Sequence, residues 1–72
     1  MIHDYFSNVK TSTLTPMNLH ENLGWPLSTV YFYLETLDIP RLKVRGRFKI
    51  PRNEMNLWLE GHTEYTIQVP SK

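Results

Sequence analysis

The chain is 72 residues long, carries eight Lys and Arg against seven Asp and Glu, and contains no cysteine. A sequence this short makes one domain at most and buries only about 60% of the surface its unfolded form exposes, so a small core is expected. Without cysteine there is neither a disulfide framework nor a thiolate metal site, which suits a reducing, cytoplasmic interior; no apolar run approaches the roughly 18 residues that span a bilayer, and Met1-Ile2-His3-Asp4 lacks the basic-then-apolar pattern of a secretory leader, so no membrane role is expected.

Residues 1–13 show no sustained hydrophobic period and are expected to form an arm, with Tyr5, Phe6 and Val9 able to lie across a core. At Leu14-Thr15-Pro16 the signals sharpen, because a threonine can cap a helix whose first position is a proline with no N–H to satisfy. A helix is predicted from Pro16 to about Leu23, ended by Gly24, the residue that enters the left-handed region at least cost. Pro26 starts the next segment, with Ser28 or nearby backbone as its cap. There Leu27, Val30, Leu34 and Leu37 recur at spacings of three and four, one apolar helical stripe. This second helix must stop before Pro40, which biases its predecessor away from helical angles. The connection Gly24-Trp25-Pro26 is about as short as the turn of a helix-turn-helix unit.

From Arg41 to Arg52 charge is segregated. Six of the eight basic residues, Arg41, Lys43, Arg45, Arg47, Lys49 and Arg52, fall here, and no Asp or Glu lies between Asp38 and Glu54. Residues 42–50 alternate with period two, which places Leu42, Val44, Phe48 and Ile50 on one face of a hairpin and Lys43, Arg45, Arg47 and Lys49 on the other, with Gly46 in the turn. A two-residue loop at Arg45-Gly46 would pair Val44 with Arg47. A loop of three residues, or another odd number, pairs like with like, for example Val44 with Phe48, and is the expectation. Pro51, Asn53 and Glu54 open a last helix with a proline, a capping residue and a first-turn acid; Met55, Trp58 and Leu59 repeat at three and four, and Gly61 closes it. In the tail, Tyr65-Thr66-Ile67-Gln68-Val69 reads as either a strand or an ordered extension.

Enzyme constellations are absent. Three glycines form no phosphate-cradling loop, His3, His20 and His62 are far apart with no His-x-x-x-His pair, and the carboxylates fall on helices and caps, so no catalysis, metal or cofactor is expected. The basic hairpin carries the functional expectation instead. Like charges sharing one face of a two-stranded ribbon repel by roughly 0.2 to 1 kcal/mol per pair, and duplex phosphate relieves that repulsion. The competing reading is a solvated edge strand that uses charge to avoid aggregation. With Val30 and Leu34 inward, the second helix turns Ser28, Thr29, Phe32, Glu35 and Thr36 outward, with Tyr31 and Tyr33 at its flanks. In a major groove Ser28 and Thr29 reach phosphates or base edges and Phe32 touches thymine methyl groups, while Tyr31 and Tyr33 suit packing equally well. Neutralising about four phosphates predicts a log-log salt slope of about −3.6.

In this order the elements resemble the excisionase family of small winged-helix DNA-binding proteins, related to the DNA-binding half of MerR-type regulators. The resemblance runs without a gap from Leu14 to about Glu60. It rests most on Ser28-Thr29-Val30-Tyr31, Ile39-Pro40, Leu42-Lys43-Val44, Gly46-Arg47-Phe48-Lys49-Ile50-Pro51-Arg52 and Trp58-Leu59. It implies a MerR-like winged helix-turn-helix, mainly helical with one small hairpin, spanning residues 14–61 between the arm (1–13) and the tail (62–72). It further implies that Ser28, Thr29 and Tyr31 make recognition-helix contacts, that Arg45, Gly46, Arg47 and Lys49 belong to the wing, and that Arg41 and Lys43 flank it. Members of the family bind direct or inverted DNA repeats, often cooperatively and with bending, and steer an integrase or act as regulators. Where they commonly carry basic residues on the recognition helix, this chain has Leu27, Phe32, Glu35 and Thr36; Leu37 stands for a glycine at that helix's end and Arg45 for one of the wing's paired glycines. Affinity is therefore expected to shift toward the wing.

The expected function is sequence-specific binding of double-stranded DNA on the nucleoid, by an excisionase or recombination directionality factor that self-associates cooperatively and has an integrase or recombinase as a partner. A small repressor of the same fold is the alternative, as is, in another class, a protein-interaction module using Phe32, Tyr33 and residues 65–69. The expected core comprises Leu14, Leu19, Leu23, Trp25, Val30, Leu34, Ile39, Val44, Phe48, Ile50, Met55, Trp58 and Leu59.

Overall fold

The computed structural model describes residues 3–66. Thr13–Leu14 form a short strand, β1; Pro16–Leu23 and Leu27–Thr36 are helices α1 and α2; Leu42–Val44 and Arg47–Pro51 are strands β2 and β3; and Arg52–Gly61 is helix α3, followed by a 3-10 turn at Thr63–Tyr65. Among the described residues three helices thus accompany an antiparallel sheet of order β1, β3, β2. The sheet is one strand wider than the hairpin read from the sequence, because Thr13 pairs with Pro51 and Leu14 with Ile50. No helix among the described residues is long and apolar enough to cross a membrane. Tyr65 ends the 3-10 turn, and residues 67–69 of the segment read as strand or extension lie outside the described residues.

Local chemistry sets the ends of α1. Thr15 Oγ1 accepts from the Asn18 amide at 3.3 Å while Asn18 Oδ1 accepts from the Thr15 amide at 2.9 Å, a reciprocal cap with Asn where Glu or Gln is usual. Gly24, at φ 73°, ends the helix with its N–H donated to the His20 carbonyl. His20 also braces the turn that follows, its Nδ1 lying 2.6 Å from the Trp25 carbonyl. A carbonyl only accepts, so the ring carries a proton on Nδ1. Among the described residues no side chain caps α2 or α3, so Ser28 and Asn53 do not play the capping part read for them; Pro26 and Pro51, with fixed φ, lead the chain into these helices instead. Gly61 is the last residue of α3 and His62 takes the cap position at φ −134°.

Leu14, Leu19, Leu23, Trp25, Val30, Leu34, Ile39, Phe48, Ile50, Met55, Trp58 and Leu59 are buried as expected. Phe6 joins them with no exposed surface, and Tyr5 and Val9 pack partly against the same cluster, so the arm closes one side of the core. Polar contacts hold it there. Asp4 accepts from Arg52 Nη2 at 2.8 Å and from Asn56 Nδ2 at 3.0 Å, and Asn56 Oδ1 accepts from the Tyr5 amide at 3.1 Å. Arg52 Nη1 donates in addition to the carbonyls of Val9 and Thr11. Asn56 is buried, yet its amide is satisfied on both sides. Val44 alone departs from the expected core, for a reason that lies in the hairpin register.

Candidate nucleic-acid interface

Leu42 pairs with Lys49, Lys43 with Phe48 and Val44 with Arg47. The loop is therefore the two residues Arg45-Gly46, which corrects the expectation of an odd number. Both have positive φ, 52° and 78°, the type I′ combination whose twist matches that of the flanking strands. Directly paired residues share a face, so this register turns β2 over. Leu42 and Val44, 64% and 46% exposed, lie on the outer face with Arg47 and Lys49, while Lys43 lies on the face of Phe48. The physical reason is reach. Phe48 and Ile50 of β3 are buried against the core, whereas every residue of β2 is exposed, so no burial is lost when its apolar side chains face water and the turn's own preference decides.

The six clustered cations consequently fall into two groups. Arg41 donates to the Ile39 carbonyl at 2.9 Å and the Leu37 carbonyl at 3.4 Å, closing the C-terminal end of α2. Lys43 sits 3.7 Å from Glu35 and 5.1 Å from the centroid of the Phe48 ring. Arg52 is committed to Asp4 and the arm, and its guanidinium holds the Asp4 carboxyl down at about 2. The other three, Arg45, Arg47 and Lys49, are exposed, and their side chains make no ion pair or hydrogen bond with another described residue. Gly46, at the apex between two of them, faces open space.

Alongside the hairpin stands α2. Spacings of four put Ser28, Phe32 and Thr36 in one row and Tyr31 and Glu35 in the next. The second row meets the hairpin: the Tyr31 ring is 6.1 Å from that of Phe48, and Glu35 faces Lys43. The first row points away from the core, with Phe32 62% exposed at its middle and Thr36 Oγ1 donating to the Phe32 carbonyl at 2.7 Å. Ser28 is exposed, Thr29 half-buried and Tyr31 exposed. Tyr33 belongs to the packing, edge-on to Trp25 at 5.0 Å and to Tyr65 at 5.2 Å. Between the start of α1, Tyr31 of α2 and Gly46 to Phe48 of the hairpin lies an open groove of about 310 Å³, with Thr15, Pro16 and Met17 as its third wall. Among the described residues no three His, Asp or Glu side chains gather where a metal ion could sit.

Of the residues singled out from the sequence, Ser28, Tyr31 and Phe32 share the exposed side of α2, and Arg45, Gly46, Arg47 and Lys49 share the outer part of the hairpin. Arg41 and Arg52 are drawn back toward the chain's own backbone. Exposed Leu42 and Val44, interleaved with the cations, were missed. Gly46 marks the turn, but Arg45 is not among the residues favoured at the first position of a type I′ loop, so no local signal separates a two-residue loop from a three-residue one. No protein-family model, curated protein or solved structure matches the chain.

Proposed function

We propose that the protein is a winged helix-turn-helix that binds double-stranded DNA, with α1 and α2 as the helix-turn-helix, α2 in the major groove and the β2–β3 hairpin as a wing on the phosphate backbone. The observation that carries this reading is the trio Arg45, Arg47 and Lys49: three cations without an acidic partner among the described residues, on a projecting hairpin beside the exposed face of α2. An array of unneutralised cations finds its counterpart in an anion lattice, and duplex phosphate supplies one at regular spacing. Ser28 and Thr29, in the uncapped first turn of α2, suit backbone contacts. Arg41, Lys43 and Arg52, engaged within the chain, contribute less, so the effective number of neutralised phosphates is about three rather than four and the log-log salt slope about −2.7.

Within this class an excisionase or recombination directionality factor is the favoured role, cytoplasmic, acting with an integrase or recombinase and binding neighbouring sites cooperatively; a small repressor differs only in what the bound site controls. A gene for an integrase beside this one favours the first. The exposure of Phe32, Leu42 and Val44 supports one competing reading, a protein-interaction module. Gel shifts with random duplex at low salt separate the two. Binding at micromolar concentration, weakened by Arg47→Ala with a shallower salt slope, is the expected result, and an Arg47→Ala protein that titrates with the wild-type slope removes the hairpin from the interface.

A further inference from the structure

We infer that α2 selects its DNA through the 5-methyl group of thymine, with Phe32 as the specificity-determining residue; this rests on the duplex-binding reading above. In the major groove guanine is read chiefly by Arg or Lys and adenine by Asn or Gln, each making a bidentate pair. Between Leu27 and Thr36 the helix contains none of these four residue types. Its one charged side chain, Glu35, is turned to Lys43 of the hairpin at 3.7 Å. The row that faces outward, Ser28, Phe32 and Thr36, carries no charge, and the Thr36 hydroxyl donates its proton to the Phe32 carbonyl. What the helix presents at its crest is a phenyl ring, 62% exposed. The one apolar feature that base pairs offer in the major groove is the thymine methyl.

The position of the ring favours this occupant over another protein surface. Tyr31 and Glu35, on the adjoining row, join α2 to the hairpin that bears Arg45, Arg47 and Lys49. Cations seated on phosphates beside a groove bring the outward row of α2 toward base edges. Selectivity then takes the form of a preference for A·T pairs with thymine at the positions opposite Phe32, with little penalty for exchanging the pairs farther along the helix.

The test is selection from a pool of randomised duplexes, followed by remaking the selected duplex with deoxyuridine in place of thymidine, which removes the methyl groups and keeps the base pairing. Loss of affinity of about fourfold per contacted methyl is expected, the effect of one buried methyl-sized group. Phe32→Ala should bind the thymidine and deoxyuridine duplexes equally; Phe32 lies on the surface, and thermal unfolding checks that the variant is folded. If the wild type keeps a steep salt slope but binds both duplexes equally, duplex binding stands and the methyl inference is overturned. If no duplex is retained at low salt, the duplex-binding reading itself fails. If Phe32→Ala abolishes self-association in sedimentation and leaves DNA affinity unchanged, the ring belongs to a protein interface and the inference is overturned.

Discussion

Arg47 and Arg52 belong to one basic cluster and sit at opposite ends of β3 and its junction with α3, yet the fold gives them different work. Arg52 is surrounded by acceptors from the arm: Asp4 and the carbonyls of Val9 and Thr11. The Arg47 guanidinium has no acceptor among the described residues and stands on the outer face of the hairpin, where its residue is paired across the ladder with Val44. A run of positive charge in a sequence is therefore not one functional unit. The members nearest the core are used to hold the chain together, and those beyond it make no side-chain contact among the described residues that would spend their charge.

The contrast breaks down if the arm does not stabilise the domain, so the largest expected effect is there. Phe6→Ala should cost about 3–5 kcal/mol, enough to unfold a domain with a small core, while Phe32→Ala should stay within about 0.5 kcal/mol of wild type; denaturant titration of the two compares a buried with an exposed ring. Arg52→Ala comes next. It leaves Asp4 Oδ2 and two carbonyls without their donor, a loss of about 1 kcal/mol given that the Asp4 carboxylate is partly in water. Arg47→Ala should be nearly neutral for stability, and equal losses for the two arginines would erase the distinction.

The Arg52 contact also has a signature in pH. Its guanidinium, helped by Asn56 and the Phe6 amide, holds the Asp4 carboxyl at about 2 against an ordinary 3.8. A carboxyl whose folded value lies below its unfolded one contributes stability that is complete above the unfolded value and lost as pH falls through the folded one. Unfolding followed between pH 4 and 2 should show this loss in the wild type, and a much smaller one in Arg52→Ala. A gain rather than a loss is expected at the turn. Arg45 holds φ 52°, a conformation that costs a side chain other than Gly, Asn or Asp about 1 kcal/mol, so Arg45→Asn should raise stability by up to that amount while making the salt slope shallower by about 0.9. A variant that is more stable and binds less steeply sharpens the division between holding the fold and the proposed hold on DNA.

Much of this architecture was legible because its signals are local. Thr15-Pro16 starts a helix and Gly24 ends it through contacts within a few residues, and the three-and-four spacing of Val30, Leu34, Met55, Trp58 and Leu59 follows from helical geometry alone. Phe6 was harder to place, since no period surrounds it and its burial depends on Arg52 and Asn56, more than forty residues away. The hairpin misled for a different reason. Alternation says which residues can share a face of one strand, but which face of β2 pairs with which face of β3 is set by the turn, and the turn is free to choose because β2 lies outside the core. The division of the cations was hidden in part for the same reason as Phe6, since the acceptors that occupy Arg52 lie more than forty residues away, whereas Arg41 turns back to carbonyls two and four residues before it, a local bond that the residue pattern does not mark. On α2, spacing placed Ser28, Phe32 and Thr36 outward, and the exposure of Tyr31 against the partial burial of Tyr33 waited on Trp25 and Tyr65.

The most direct test of the account is the salt dependence of duplex affinity, measured for the wild type and for a variant carrying Arg45→Ala, Arg47→Ala and Lys49→Ala together. Three free cations predict a wild-type log-log slope of about −2.7 and a variant slope close to zero, with the fold intact because none of the three has a partner within the described chain. A folded variant that keeps the wild-type slope, or a wild type without salt-dependent affinity for duplex, contradicts it.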